Sequence, residues 1–169
     1  MDENIKFTIV VVRVVSVFIL LISGCTYKPP QIYNFDKERT YNQSYDEIWQ
    51  KAIEWFGSKG TPVKNLDKAS GFISTEYKLS PDDFDHDRAH FLCDCGVPGS
   101  GGILMGTFQN VNGNFNIVVK RIDDQHTKVN INTFYKADLM VEGQLRNSVD
   151  CNSTGQLEKE LMDYLGTQK

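Results

Sequence analysis

Between Thr127 and Leu139 the chain alternates: Val129, Ile131, Thr133, Tyr135, Ala137 and Leu139 fall on one side of an extended strand, Lys128, Asn130, Asn132, Lys136 and Asp138 on the other. Only Phe134 breaks the polar side. Successive strand side chains point to opposite faces, so this period of two commits the segment to a strand with one buried and one solvated face. Such a strand belongs to an antiparallel sheet covered by helices on a single side.

The rest of the chain supplies the cover. Ser44-Tyr45-Asp46-Glu47 is a capping box, in which the Ser44 hydroxyl and the Glu47 carboxylate each satisfy a backbone N–H at a helix start. The helix runs to about Ser58, with Tyr45, Ile48, Trp49, Ala52, Ile53 and Phe56 as one apolar stripe. Gln50, Lys51 and Glu54 lie away from that stripe, and Gly60 and Pro62 stop the helix. Of the two tryptophans, Trp49 belongs to the core and Trp55, at the stripe's edge, is the better interface candidate. Two short strands surround Asp67-Lys68-Ala69-Ser70-Gly71. Gly106 to Val111, an Asn112-Gly113 turn and Phe115 to Arg121 predict a further hairpin, because Asn-Gly tolerates the positive φ of tight turns. A turn at Asp123-Asp124-Gln125 leads into the long alternating strand. A closing helix begins near Ser153, with Gln156 at the capping-box position and Leu157, Leu161, Tyr164 and Leu165 as its stripe. The fold class is therefore α+β, a two-layer antiparallel sheet with two helices on one face, in the order β-α-β-β-β-β-β-α.

Ahead of this domain stands a different kind of segment. Residues 7 to 22 are apolar except for Thr8, Arg13 and Ser16, and the uncharged run from Val14 to Ile22 is nine residues, about 14 Å as a helix. That is too short for ~30 Å of hydrocarbon. Lys6 and Arg13 precede the run and Ser23-Gly24 follow it, the charged, apolar, small-residue order of a secretory signal. The next residue is Cys25, and Ile22-Ser23-Gly24-Cys25 resembles the bacterial lipobox. The resemblance implies that residues 1–24 are a signal peptide removed on export and that Cys25 is lipidated, with palmitate or related chains holding the protein to a membrane. Thr26, rather than Asp, after the cysteine implies the outer membrane, facing the periplasm. Two or three chains make such attachment effectively permanent. Residues 25–35, with Pro29-Pro30, are expected to be the lipidated cysteine and a semi-extended tether, and 36–169 a single α+β domain.

Ser44 to Trp49, followed by Asp67 to Thr75, resembles the helix-plus-hairpin opening of the domains in the lipoprotein C component of the β-barrel assembly machinery. The middle of the chain resembles small envelope lipoproteins that share a Cys-Gly loop and a Cys-x-Ser-Thr-Gly helix start, here Cys95-Gly96 and Cys151 to Gly155. Both resemblances imply a helix-grip-like fold, and neither brings a catalytic residue.

Net charge is −4, without a basic patch to neutralise phosphates, so a nucleic-acid partner is not expected. Residues 82–94 hold five acids and one base and supply all of that charge, which reads as a solvated acidic loop. Asp83, Asp85, Asp87 and Asp94 mimic the alternate ligands of a calcium loop, but Arg88 stands where the turn needs glycine. With Cys25 lipidated, Cys93, Cys95 and Cys151 remain, and an oxidising compartment favours a disulfide. Cys93 and Cys95 are two residues apart, on one face if Phe91 to Cys95 is a strand, and either could bridge to Cys151; Cys95 with Cys151 is the expected pair, leaving Cys93 as a buried small residue or a spare thiol. The alternative is a metal or redox centre on His90, Cys93, Cys95 and Cys151, with His86 nearby, although the spacing is not that of structural zinc. Asp94-Cys95-Gly96 resembles the nucleophile motif of periplasmic cell-wall cysteine peptidases, but the glycine-rich stretch after it cannot open a helix, and His126 falls in a turn. That stretch also lacks the Lys-Ser/Thr of a phosphate loop. No cofactor and no enzymatic activity are expected. The sequence thus predicts a membrane-anchored envelope lipoprotein with a scaffold or accessory binding role.

Overall fold

The structure is a computed structural model that describes residues 28–80, 91–98 and 106–167. The signal segment, Cys25, His86, His90, Asp83, Asp85 and Asp87 lie outside the described residues. The elements are β1 (Glu38–Tyr41), α1 (Tyr45–Lys59), β2 (Val63–Asp67), β3 (Phe72–Lys78), β4 (Cys93–Asp94), β5 (Gly106–Arg121), β6 (Thr127–Val141), β7 (Gln144–Ser153) and α2 (Gln156–Leu165). Seven antiparallel strands form one sheet in the order β2-β3-β5-β6-β7-β4, with β1 also on β6. The class is α+β, with six strands between the helices where the sequence predicts five.

The alternating segment is the axis of this sheet. One edge of β6 pairs with β5 from Thr127 to Lys136 and, across a bulge, from Asp138 to Val141. The other edge is divided: β1 takes Thr127 to Asn130 and β7 takes Tyr135 to Val141. Val129, Ile131, Tyr135 and Ala137 of β6 are buried with Val111, Phe115, Ile117 and Val119 of β5, and both helices contribute to the same core. Glu158 of α2 is nearly fully buried, and the Thr133 and Ser153 hydroxyls donate to its carboxylate, which satisfies a charge that burial would otherwise penalise.

α1 begins with the capping box, the Glu47 N–H donating to Ser44 Oγ and the Ser44 N–H to Glu47 Oε2, and ends at Gly60 with φ +65°. Its buried face is broader than the apolar stripe. Trp55 is buried edge-on to Phe56, with ring centroids 5.1 Å apart, so it is a core residue and not an interface residue. Lys51 is buried as well: its ammonium donates to Gln43 Oε1 and to the carbonyls of Leu165 and Thr167 at the end of α2. A cation suits that place because the last helical carbonyls lack partners and carry the negative end of the helix dipole.

Asn112-Gly113 is not a turn. β5 runs straight through it, and the positive φ sits at Asn110 (+49°), within the bulge between Gln109 and Asn112. Gly113 answers to packing instead: a Cβ there would meet Leu79 Cδ1, Phe115 Cζ and Tyr135 Cε1 at 3.0–3.1 Å. The predicted capping box at Ser153 is absent too. Gly155 is the N-cap, at φ +84°, and makes no side-chain cap. Ser153 stays in β7, where its hydroxyl serves Glu158.

Candidate functional site

β4 and β7 bring the cysteines together. Cys93 faces Ser153 and Asp94 faces Asn152, so the next step of the register places Cys95 opposite Cys151. Their Cα atoms are 4.1 Å apart and their sulfurs 1.98 Å apart, as a disulfide. Cys93 stays outside that bond, yet its sulfur lies within 4.8 Å of both others. The three are 0%, 4% and 7% exposed. Two of the sulfurs are bonded to each other and hold no thiolate, so a metal on Cys93, Cys95 and Cys151 requires the reduced protein.

Asp94, between the two cysteines, points the other way and holds the N-terminal segment. Its carboxylate accepts from the Gln31 N–H at 3.0 Å, the Tyr33 hydroxyl at 3.2 Å and the Gly96 N–H at 2.7 Å. Burial and the neighbouring Asp94 charge push the Tyr33 phenol above its ordinary pKa, keeping it a donor. Lys28 and Val97 exchange backbone hydrogen bonds of 2.9 and 3.1 Å, and the Asn152 amide donates to Gln31 O. Residues 28–35 are therefore bonded to the domain rather than holding it at a distance. The buried carboxylate of Asp94 draws the segment in, since the Gln31 N–H and the Tyr33 hydroxyl, both on this segment, donate to it.

The docked segment forms one wall of a groove of about 510 Å³. β1 and β7 share an edge of β6 without reaching residues 132 to 134, and the groove opens there, between Ile32, Tyr33 and Phe35 on one side and Phe134, Lys136 and Asp150 on the other. Ile32 (92% exposed) and Phe134 (60% exposed) face solvent on it. Phe134, the residue that broke the polar side of the alternation, thus belongs to this groove.

His126 lies in the β5–β6 turn, where Asp123 accepts from its ring Nδ1 and backbone N–H, both at 2.8 Å. That is roughly 30 Å along β6 from Tyr135, the residue opposite Cys151. Cys95 and His126 therefore do not form a nucleophile–base pair. Asp94 accepts protein donors rather than completing an exposed acidic ring. No protein-family profile matches the chain, and no curated protein matches it.

Proposed function

We propose that this chain is a lipid-anchored lipoprotein of the bacterial envelope, acting without catalysis as a scaffold or accessory binding partner. The observation that carries this reading is the apolar run closed by Ile22-Ser23-Gly24-Cys25, three residues ahead of the segment bonded to β4. From Cys25 to Lys28 the backbone spans at most about 10 Å. A lipid on Cys25 thus sets the β4 edge of the domain close to the membrane surface, most simply the periplasmic face of an outer membrane. The groove beside that edge, with Ile32 and Phe134 exposed on it, is the surface offered to an envelope partner.

Cys25→Ser tests the anchor. The variant is expected to leave the membrane fraction and to lose incorporation of labelled palmitate, while its circular dichroism stays that of the wild type, because Cys25 precedes every residue of the core. A variant that still sediments with membranes after a high-salt wash would refute the lipidated anchor.

A further inference from the structure

We propose that Cys93, Cys95 and Cys151 form an intramolecular thiol–disulfide exchange site, in which the covalent link between β4 and β7 passes from Cys95 to Cys93. The step is redox-neutral. Cys93 loses its proton and its thiolate attacks Sγ of Cys151. A Cys93–Cys151 bond forms, and the Cys95–Cys151 bond breaks with its electron pair on Cys95 Sγ, which takes up a proton. Neither oxidant nor reductant is consumed.

Geometry supports this transfer over others. Cys93 in β4 and Cys95 just after it lie two residues apart, on the same side of the extended chain, with Cys151 on the facing strand, and all three sulfurs lie within 4.8 Å of one another. The attacking sulfur has less than about 3 Å to travel, which a side-chain rotation and a small shift of β4 can supply. β4 is only two residues long, so little of the ladder resists. Attack on Cys95 is disfavoured, since residues two apart in a strand stand about 6.6 Å apart at Cα, at the limit a disulfide spans. Burial of all three sulfurs bars bulk thiols from the site while leaving the internal attack open. The thiol released is Cys95, next to Gly96 and the docked segment at Lys28, so exchange changes the chemistry of that contact.

The test uses the full chain in detergent, without reductant. Samples held between pH 6 and pH 9 are quenched in denaturant with N-ethylmaleimide, digested with pepsin in acid and mapped by mass. The expected result is a species with Cys95 alkylated and Cys93 joined to Cys151, appearing about tenfold faster per pH unit below the thiol pKa and absent from Cys93→Ser. In Cys95→Ala, Cys93 and Cys151 are expected to be joined. Wild-type protein with Cys93 alkylated and Cys95 joined to Cys151 at every pH would overturn the proposal. So would a folded Cys95→Ala in which Cys93 and Cys151 both alkylate. If Cys95→Ala does not fold, the wild-type pH series decides alone.

Discussion

Tyr41 shows how one polar atom can be placed in an apolar core. Its ring is buried at the end of β1, and its hydroxyl donates to Met162 O of α2 at 2.9 Å, so one residue joins the first strand to the last helix. Burial pushes its pKa up to about 12, with the nearby Arg39 charge pulling the other way. The unfolded phenol ionises near pH 10, so the fold favours the neutral form. That contribution is fully present below about pH 10 and is lost as pH rises from there through about 12. Tyr41→Phe should cost about 1 kcal/mol at neutral pH through the lost hydrogen bond. Its melting temperature should then fall less steeply than the wild type's between pH 10 and 12. Parallel curves over that range would show that the phenol does not titrate with folding. Lys51 and Asp94 follow the same logic, each a buried charge matched by donors or acceptors from distant parts of the chain. Neither partnership was legible in the sequence, because helical spacing assigns Lys51 only to a polar face and says nothing about the end of α2 lying beside it.

At the scale of elements, the docked N-terminal segment depends on Gly96. Its φ is +82°, and a Cβ there would stand 2.2 Å from Lys28 O, a backbone atom that cannot turn aside. Gly96→Ala combines left-handed strain of roughly 1–2 kcal/mol with that collision. We expect residues 28–33 to detach and limited proteolysis within them to speed up about tenfold or more, since 1.4 kcal/mol raises an open population tenfold. The core should stay protected, and equal cleavage rates in the two proteins would argue against the contact. What was legible among the elements had a local cause: the capping box of α1, the Gly60 stop and the alternation of β6 each rest on residues within one or two turns of the chain. What was missed has a nonlocal cause. β7 is exposed along most of its length, on both faces, so it carries no alternation to read, and it is held by its register with β6 after the Glu142-Gly143 turn. Gly113 looked like a turn residue because Asn precedes it, whereas rings from its own strand and from β6 claim the space where its side chain would be. Trp55 looked peripheral because a stripe drawn on one helix cannot show how far its neighbours wrap around it.

For the whole molecule, the decisive constraint is the covalent tie between the β4 edge and β7. Cys95 and Cys151 are 56 residues apart, and the loop they close contains β5, β6 and most of β7, the centre of the sheet. β4 itself is short: a two-residue ladder pairs it with β7, and Thr154 donates hydrogen bonds to the neighbouring Phe91 and Leu92 carbonyls. Closing a loop of that length removes unfolded-chain entropy worth on the order of 4 kcal/mol, a large share of a typical domain stability of about 5–15 kcal/mol. Cys151 is the partner common to either position of the link, so Cys151→Ser removes it in every state, at a cost of ~2–5 kcal/mol. Cys93→Ser keeps the observed disulfide and changes only one small buried side chain, so its cost should be smaller. Cys95→Ala should fall between them, because a Cys93–Cys151 bond closes nearly the same loop. The measurement is urea unfolding of the three detergent-solubilised variants without reductant, with stability ranked Cys93→Ser above Cys95→Ala above Cys151→Ser. A Cys151→Ser midpoint equal to the wild type's would mean that the edge is held by its hydrogen bonds alone, and Cys95→Ala falling as low as Cys151→Ser would mean that Cys93 cannot take over the link.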